Sequence, residues 1–342
     1  FHITDKYLLF LHSGDYFNIR NISGICGINE KEKADNKKTI GYKGIGFKTV
    51  FLNNHYVYLN TGDYSFRFDE KAERIKRIGA PWPILPIWTE RNEVAAEVSN
   101  VFINSDKKFR VQLALRPNNP NILHRGKSSY EYLLKEIFED SNLILFVPNI
   151  NSVKVFINGI NERTCNKNTD NWLVSEFEES ISTELQDIIN KKIETGKSRI
   201  PEKYMDFTDT KVSFACKKKG KILEPIEKGL IYCYLPTSAT WGFPFLMNTD
   251  MIPKGDRDDI ETEVKLTDEI NFNSEISKIA GLKFFEWIKT LLDSKEFELR
   301  SIFSLIPNFD TCKKEHSEYY DDYISEFRKG FENKLLVENF IP

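Results

Sequence analysis

The chain lacks most of the features that assign a protein to a class on sight. Its five cysteines (Cys26, Cys165, Cys216, Cys233 and Cys312) are odd in number, widely spaced and without a C-x-x-C pair. A disulfide framework or a zinc ribbon is therefore not expected, and a reducing, cytoplasmic setting fits better. The five histidines (His2, His12, His55, His124 and His316) show no i, i+4 ligand spacing, so no metal centre is predicted from them. No apolar run approaches the roughly 18 to 20 residues of a membrane span, and no signal-peptide pattern opens the chain, so no membrane partner is expected. A formal charge of −3 supplies no field that would draw nucleic acid to the whole protein, although Lys217-Lys218-Lys219 makes a local basic turn. Internal repeats and low-complexity tracts are absent. The first residue is Phe, and the chain is expected to be a piece of a larger polypeptide.

What is present is a globular composition, 40% hydrophobic and 29% charged, over 342 residues, long enough for two or three cores. Within it, Gly41-Tyr42-Lys43-Gly44-Ile45-Gly46-Phe47-Lys48-Thr49-Val50-Phe51 stands out. Glycines at 41, 44 and 46 allow positive φ and close backbone approach, and the segment from Gly46 to about Leu52 is predicted to open a helix. A glycine loop at a helix N-terminus is a cradle for an anion, to which Lys43 or Lys48 would add charge. The alternative is a plain glycine turn between two elements. Neither familiar phosphate fingerprint fits: Phe47 intrudes where a Walker A loop needs its lysine, and Thr49 stands where the third glycine of a dinucleotide motif would be.

Periodicity places elements around this loop. Residues 3–12 end as a strand, Asn18 caps a helix to Ile25, and residues 29–38 are an almost wholly polar surface segment. A hairpin is predicted over 56–59 and 64–68, a proline-fixed extended loop over 81–86, a strand over 109–115 and a helix from Ser128 to about Glu139. Strands are predicted at 143–147, 153–157, 211–215 and 230–235, and helices over 172–193 and 270–292.

The order of strand, His12-Ser13-Gly14, short helix, polar segment and Gly41–Phe51 resembles the nucleotide-binding region of the GHKL ATPases, in the sacsin-like branch related to the ninety-kilodalton heat-shock chaperones. That branch carries a motif close to G-x-K-G-I-G-F-K-S-V-F, from which this chain departs at Thr49. A second stretch is similar to the family's downstream segment: Leu235-Pro236-Thr237, Phe245, Asn248, Asp250 and Arg257 through Ile260.

The resemblance implies an α/β fold: a two-layer α/β sandwich over residues 1–140, a middle- or transducer-like α/β domain over 141–265 and a helical extension over 266–342. It implies ATP and Mg²⁺ as ligands, held by His12, Gly14, Gly41, Lys43, Gly44, Ile45, Gly46, Phe47 and Lys48. Residues 29–38 would form the lid, and Lys254 and Arg257 would sense phosphate from the second domain. The family's adenine-binding Asp is His12 here, and its catalytic Glu and Mg²⁺-holding Asn lie on an upstream helix with no counterpart in these residues. No catalytic residue is therefore nominated, and hydrolysis stays open. Partners implied are a nucleotide, a protein partner or fused effector domain, and a possible homodimer. A nucleotide-free scaffold of the same fold is the competing expectation, and a DNA-acting ATPase a third. Relatives beside nucleases suggest a role in antiviral defence by analogy only.

Overall fold

The structure is a computed structural model and describes residues 1–27, 47–79, 81–105, 107–138, 142–167, 170–196, 198–255, 258–315 and 320–337. It is mixed α/β, with two mixed sheets, and divides into two compact units: Phe1–Ser141 with Ile150–Asn166, and Asn142–Asn149 with Lys167–Pro342. Among the described residues no helix is long and apolar enough to cross a membrane.

The first unit contains β1 (His2–Ile3), β2 (Leu8–His12), α1 (Ile19–Cys26), β3 (Asn54–Thr61), β4 (Tyr64–Asp69), α2 (Glu73–Ile78), β5 (Ile87–Trp88), α3 (Ala96–Ser105), β6 (Val111–Pro117), α4 (Asn121–His124), α5 (Tyr130–Ile137), β7 (Ser152–Ile157) and β8 (Ile160–Asn166). Its eight-stranded sheet runs β5-β4-β3-β6-β2-β1-β7-β8, antiparallel except where β1 meets β7. Strand alternation sorts side chains to two faces. Leu8, Val57, Leu59, Val111, Leu113 and Leu115 pack with Ile22 and Ile25 of α1. Leu9, Leu11, Tyr58 and Ala114 pack with Val98 and Phe102 of α3 on the other face. The sheet is thus covered on both faces, one layer more than expected, because α3 brings an apolar stripe that the sequence reading left unassigned. Gln112 joins the layers: its amide accepts from Asn60 Nδ2 at 2.7 Å and donates to the Phe102 carbonyl near the end of α3 at 3.0 Å.

β6 lies between β2 and β3 and is antiparallel to both, so β2 and β3 are parallel to each other and the chain from His12 to Asn54 crosses over the sheet. This crossover carries α1, the glycine stretch and a short 3-10 turn at Phe47–Phe51. Turn and helix both pack on the cluster that holds Ile22 and Ile25.

The second unit contains α6 (Asn142–Leu145), β9 (Trp172–Ser180), α7 (Thr183–Glu194), β10 (Asp209–Lys219), β11 (Ile222–Glu224), β12 (Leu230–Cys233), β13 (Leu235–Thr240), β14 (Leu246–Thr249), α8 (Phe272–Ser294), α9 (Leu299–Phe303), α10 (Phe309–Glu315) and α11 (Asp321–Leu335). Its sheet runs β11-β10-β14-β12-β13, with β9 paired along β10. The core joins that sheet to α8 and α11 through aromatic rings: Phe214 stacks on Trp287 at 5.1 Å, Phe245 on Phe284 at 4.8 Å, and Phe243 meets Phe327 at 4.7 Å.

Three expectations change. The boundary expected at residue 140 omits β7 and β8, which return to the first sheet because β7 pairs in parallel with β1. The expected strand at 143–147 is helix α6 with buried residues after it, and the expected helix over 172–193 is β9 followed by α7. The helical region after 266 is no separate extension, since Phe284, Trp287 and Phe327 lie inside the second unit's core.

Two glycines set the approach of α8 and α11. A Cβ at Gly281 would stand 1.9 Å from the Phe327 carbonyl oxygen, and one at Gly330 would stand 1.9 Å from that of Lys278. Each contact is with backbone, which cannot swing aside. We therefore expect Gly281→Ala and Gly330→Ala each to lower unfolding free energy by about 2 kcal/mol or more, despite a helix-propensity gain of about 1 kcal/mol. Urea denaturation measures this, and an unchanged midpoint would refute the close crossing.

A second expectation concerns acid. The His124 ring bonds Glu131 at 2.8 Å and the Thr4 carbonyl at 3.0 Å, tying α4 and α5 to the β1–β2 turn. The hydrogen bond from His124, helped by Lys135, holds the Glu131 carboxyl below its ordinary value of 4.5. A depressed folded pKa means that this stabilisation is present above pH 4.5 and is lost as pH falls through the lowered value. Glu131→Gln should flatten that part of the acid limb in pH-dependent denaturation.

Candidate functional site

Of the residues predicted to hold nucleotide, Gly41, Lys43, Gly44, Ile45 and Gly46 lie outside the described residues, as do the 29–38 segment and Arg257. His12, Gly14, Phe47 and Lys48 are described and belong to the first unit; Lys254 belongs to the second.

His12 ends β2, where its carbonyl accepts from Arg110 N–H at 3.0 Å and its ring lies near Phe10 and Phe17. Its Nδ1 accepts the Gly14 N–H at 3.2 Å. That bond assigns the proton of the neutral ring to Nε2. The acceptor nitrogen that was to meet an adenine amino group is therefore engaged by the chain itself. Gly14 is required for this geometry, because a Cβ there would come within 2.9 Å of His12 Nδ1. Beyond it, Phe17 N–H donates to Thr61 Oγ1 at 3.0 Å, and Asn18 and Asn21 form a reciprocal capping box at the start of α1.

Lys48 has a different place from the one expected. Its ammonium donates to the Ile25 carbonyl, in the last turn of α1, and to the Pro83 carbonyl at 3.2 Å, with the Phe51 ring 5.7 Å away. A cation there faces the negative end of the helix dipole and satisfies one of its orphan carbonyls. Lys48 thus fastens the segment after the glycine stretch to α1 and to the Trp82–Ile84 turn, while Phe51 meets Phe68 and Trp82 edge-on at 5.1 Å each. Phe47 packs on the same cluster. What the first unit offers chemically is a rigid frame at both ends of the 28–46 stretch: capped α1 before it, and a pinned turn after it.

In the second unit, Lys254 donates to Asp259 Oδ2 at 2.7 Å. Asp259 also accepts from the Tyr320 hydroxyl and from its neighbour Ile260 N–H, the latter at 2.8 Å. Burial opposes its charge, yet Lys254, Tyr320 and that N–H together hold its carboxyl below the ordinary value. The two other singled-out polar residues, Asn248 and Asp250, serve an adjacent turn. Tyr234 sits at φ 67°, unusual for a bulky residue, between β12 and β13. Asn248 Oδ1 accepts its N–H at 2.7 Å and Asp250 Oδ1 its hydroxyl at 2.8 Å. Asp250 Oδ2 further accepts from Lys211 N–H at 2.8 Å and Thr210 Oγ1 at 3.2 Å. The sequence reading found Asn248 and Asp250 but missed what they hold; a Tyr between two strand runs carries no turn signal.

No group of His, Cys, Asp or Glu able to hold a metal ion occurs among the described residues. No protein-family model matches the chain, and no curated protein matches it.

The role found for Lys48 is testable. Lys48→Met keeps the stem and removes the charged donor, and it should cost about 1.5–3 kcal/mol of unfolding free energy, the range for hydrogen bonds to charged groups. Denaturant unfolding at neutral pH measures it. Wild-type stability in the variant would return Lys48 to the pool of ligand-facing residues.

Proposed function

We propose that the chain is a sacsin-like, GHKL-type ATP-binding module of a larger protein, which takes ATP with Mg²⁺. Nucleotide binding would close the 29–38 lid over Gly41–Gly46 and reorient the second unit to control effector regions or a protein partner. The observation that carries this reading is the crossover from β2 to β3. It sets α1 and the pinned Phe47–Phe51 turn on one apolar cluster of a mixed sheet, on either side of the glycine stretch in sequence, which supports the element order on which the resemblance rests. Phosphate contact then falls to backbone N–H groups of Gly44, Ile45, Gly46 and Phe47 and to Lys43, since Lys48 is committed to carbonyls. Hydrolysis would need a carboxylate and a Mg²⁺-holding Asn, for which these residues provide no nominee. A cytoplasmic location, homodimerisation and a part in antiviral defence belong to the same proposal.

One observation favours the second reading, a nucleotide-free scaffold that binds a protein partner: both His12 Nδ1 and Lys48 are engaged within the chain. Isothermal titration of the full chain with ATP and Mg²⁺ separates the two. Saturable binding by the wild type and its loss in Gly46→Val, with unchanged circular dichroism, is the expected result. Absence of binding by the wild type, with no rise in melting temperature, would overturn the nucleotide reading and leave the scaffold.

A further inference from the structure

β9 is an edge strand of the second unit: its nine residues pair with β10 and with no other described strand. The two ends of this ladder fix which of its backbone groups face the open side. Lys218 N–H donates to the Asn171 carbonyl at 2.9 Å and Ile181 N–H to the Thr208 carbonyl at 2.7 Å, both in the register that sets Trp172 opposite Lys217. In an antiparallel ladder, hydrogen-bonded pairs alternate with non-bonded ones. From both ends inward, Leu173, Ser175, Phe177 and Glu179 therefore bond to β10, while Val174, Glu176 and Glu178 turn N–H and C=O outward. Lys211 agrees with this phase: it stands opposite Glu178, and its N–H donates away from β9, to Asp250 Oδ2 at 2.8 Å. No described residue bonds the outward backbone groups of Val174, Glu176 or Glu178.

An open ladder of this kind is a template for another extended chain, and proteins close such edges with proline, a bulge, a short strand or charge. β9 has no proline and no register shift, and its nine residues exceed the common strand length of about five or six. Charge is the device left. From Glu176 to Ser180, one face of the ladder carries Glu176, Glu178 and Asp209 against a single ammonium, that of Lys211, which pairs with Glu176 at 3.1 Å. Glu176, by hydrogen bond and charge, and Glu178 and Asp250, by charge, raise the Lys211 pKa above its ordinary value, as a local excess of negative charge would. A second copy of β9 is refused by these carboxylates, since antiparallel pairing about Phe177 would set Glu176 against Glu178. A basic strand is attracted by them. On the other face, Glu179 is already paired with Lys283 at 2.5 Å, and the partly buried Phe177 leaves apolar surface for a neighbouring side chain.

We propose that β9 is a docking edge for an extended segment of a protein partner that alternates basic and apolar residues. The segment adds antiparallel to the sheet, with lysine or arginine opposite Glu176 and Glu178 and an apolar side chain beside Phe177. This docking needs no nucleotide.

Site-resolved amide exchange on the full chain, read by nuclear magnetic resonance, tests it with a peptide that alternates lysine and valine. In the free chain the N–H groups of Ser175 and Phe177 should exchange slowly, and those of Val174, Glu176 and Glu178 fast. The peptide should slow the latter three, and added salt should reverse the effect. The same peptide N-methylated at each lysine, whose N–H would face β9, should fail to slow them, and so should a peptide that alternates glutamate and valine. Glu176→Gln combined with Glu178→Gln should weaken binding about fivefold, the loss of two exposed cross-strand ion pairs. Protection of Val174, Glu176 and Glu178 before any peptide is added would mean that the edge is already covered, and would overturn the proposal. So would no slowing by the lysine peptide, equal slowing by the glutamate or N-methylated peptide, or unchanged affinity in the double variant.

Discussion

Backbone contact between α8 and α11 is the constraint from which most of the second unit follows. With glycine at 281 and 330, each helix presents bare backbone to a carbonyl of the other, and the axes come closer than side chains would allow. That closeness lets Phe327 reach Phe243 and Phe284 and complete the ring cluster against the sheet. It also fixes the height at which Tyr320 and Tyr323, one turn apart, meet the 252–261 hairpin at Asp259 and the Glu261 carbonyl. The polar grip on that hairpin is thus set by an apolar packing decision some distance along the helices. A methyl group at either glycine would be felt at Asp259 as well as in the core.

In the first unit the corresponding constraint is on the crossover. A long connection across a sheet face pays a closure entropy that grows only slowly with length, so what matters is how firmly its ends are held. One end is held by the reciprocal Asn18–Asn21 cap, and the other by Lys48 on the α1 carbonyl and by Phe51 between Phe68 and Trp82. A lysine beside a glycine loop invites a phosphate role by composition alone. The structure shows a different use of that charge, at the carbonyl end of α1.

Much of this was legible in the sequence where local chemistry decides. Asn18 as cap, the hairpin around Gly62, the β2 and β6 strands and the long α8 follow from capping, turn and periodicity rules. The failures have physical causes. Leu173 and Phe177 are four residues apart, a spacing that suits one helix face and equally one strand face, and the strand prevails because β10 offers a partner along its full length. Leu143 to Val147 is a short apolar run whose type periodicity cannot decide, and its burial among Trp172, Ala215 and Tyr232 is satisfied by a helical turn as well as by a strand. The return of β7 to β1 is a pairing across some 150 residues, which no window of local sequence contains.

The candidate site divides along the same line. Residue types were readable, but partners were not, because a partner is a statement about tertiary distance. His12 was expected to offer an acceptor, and Gly14 takes it; Lys254 was expected to offer a charge, and Asp259 takes that. In both cases the ligand-like contact is supplied from within, by a group two or five residues away. Such local pairing costs little entropy to form, so it is the resting arrangement any ligand has to beat. A ligand at either position would have to exchange partners with the chain rather than fill a vacancy. The affinity available to such a ligand would be the difference between the two partners. For His12 the partner to be given up is one exposed Gly14 N–H. For Asp259 such an exchange would cost more, because its mostly covered carboxylate would lose a counter-charge while still accepting from Tyr320 beside α11.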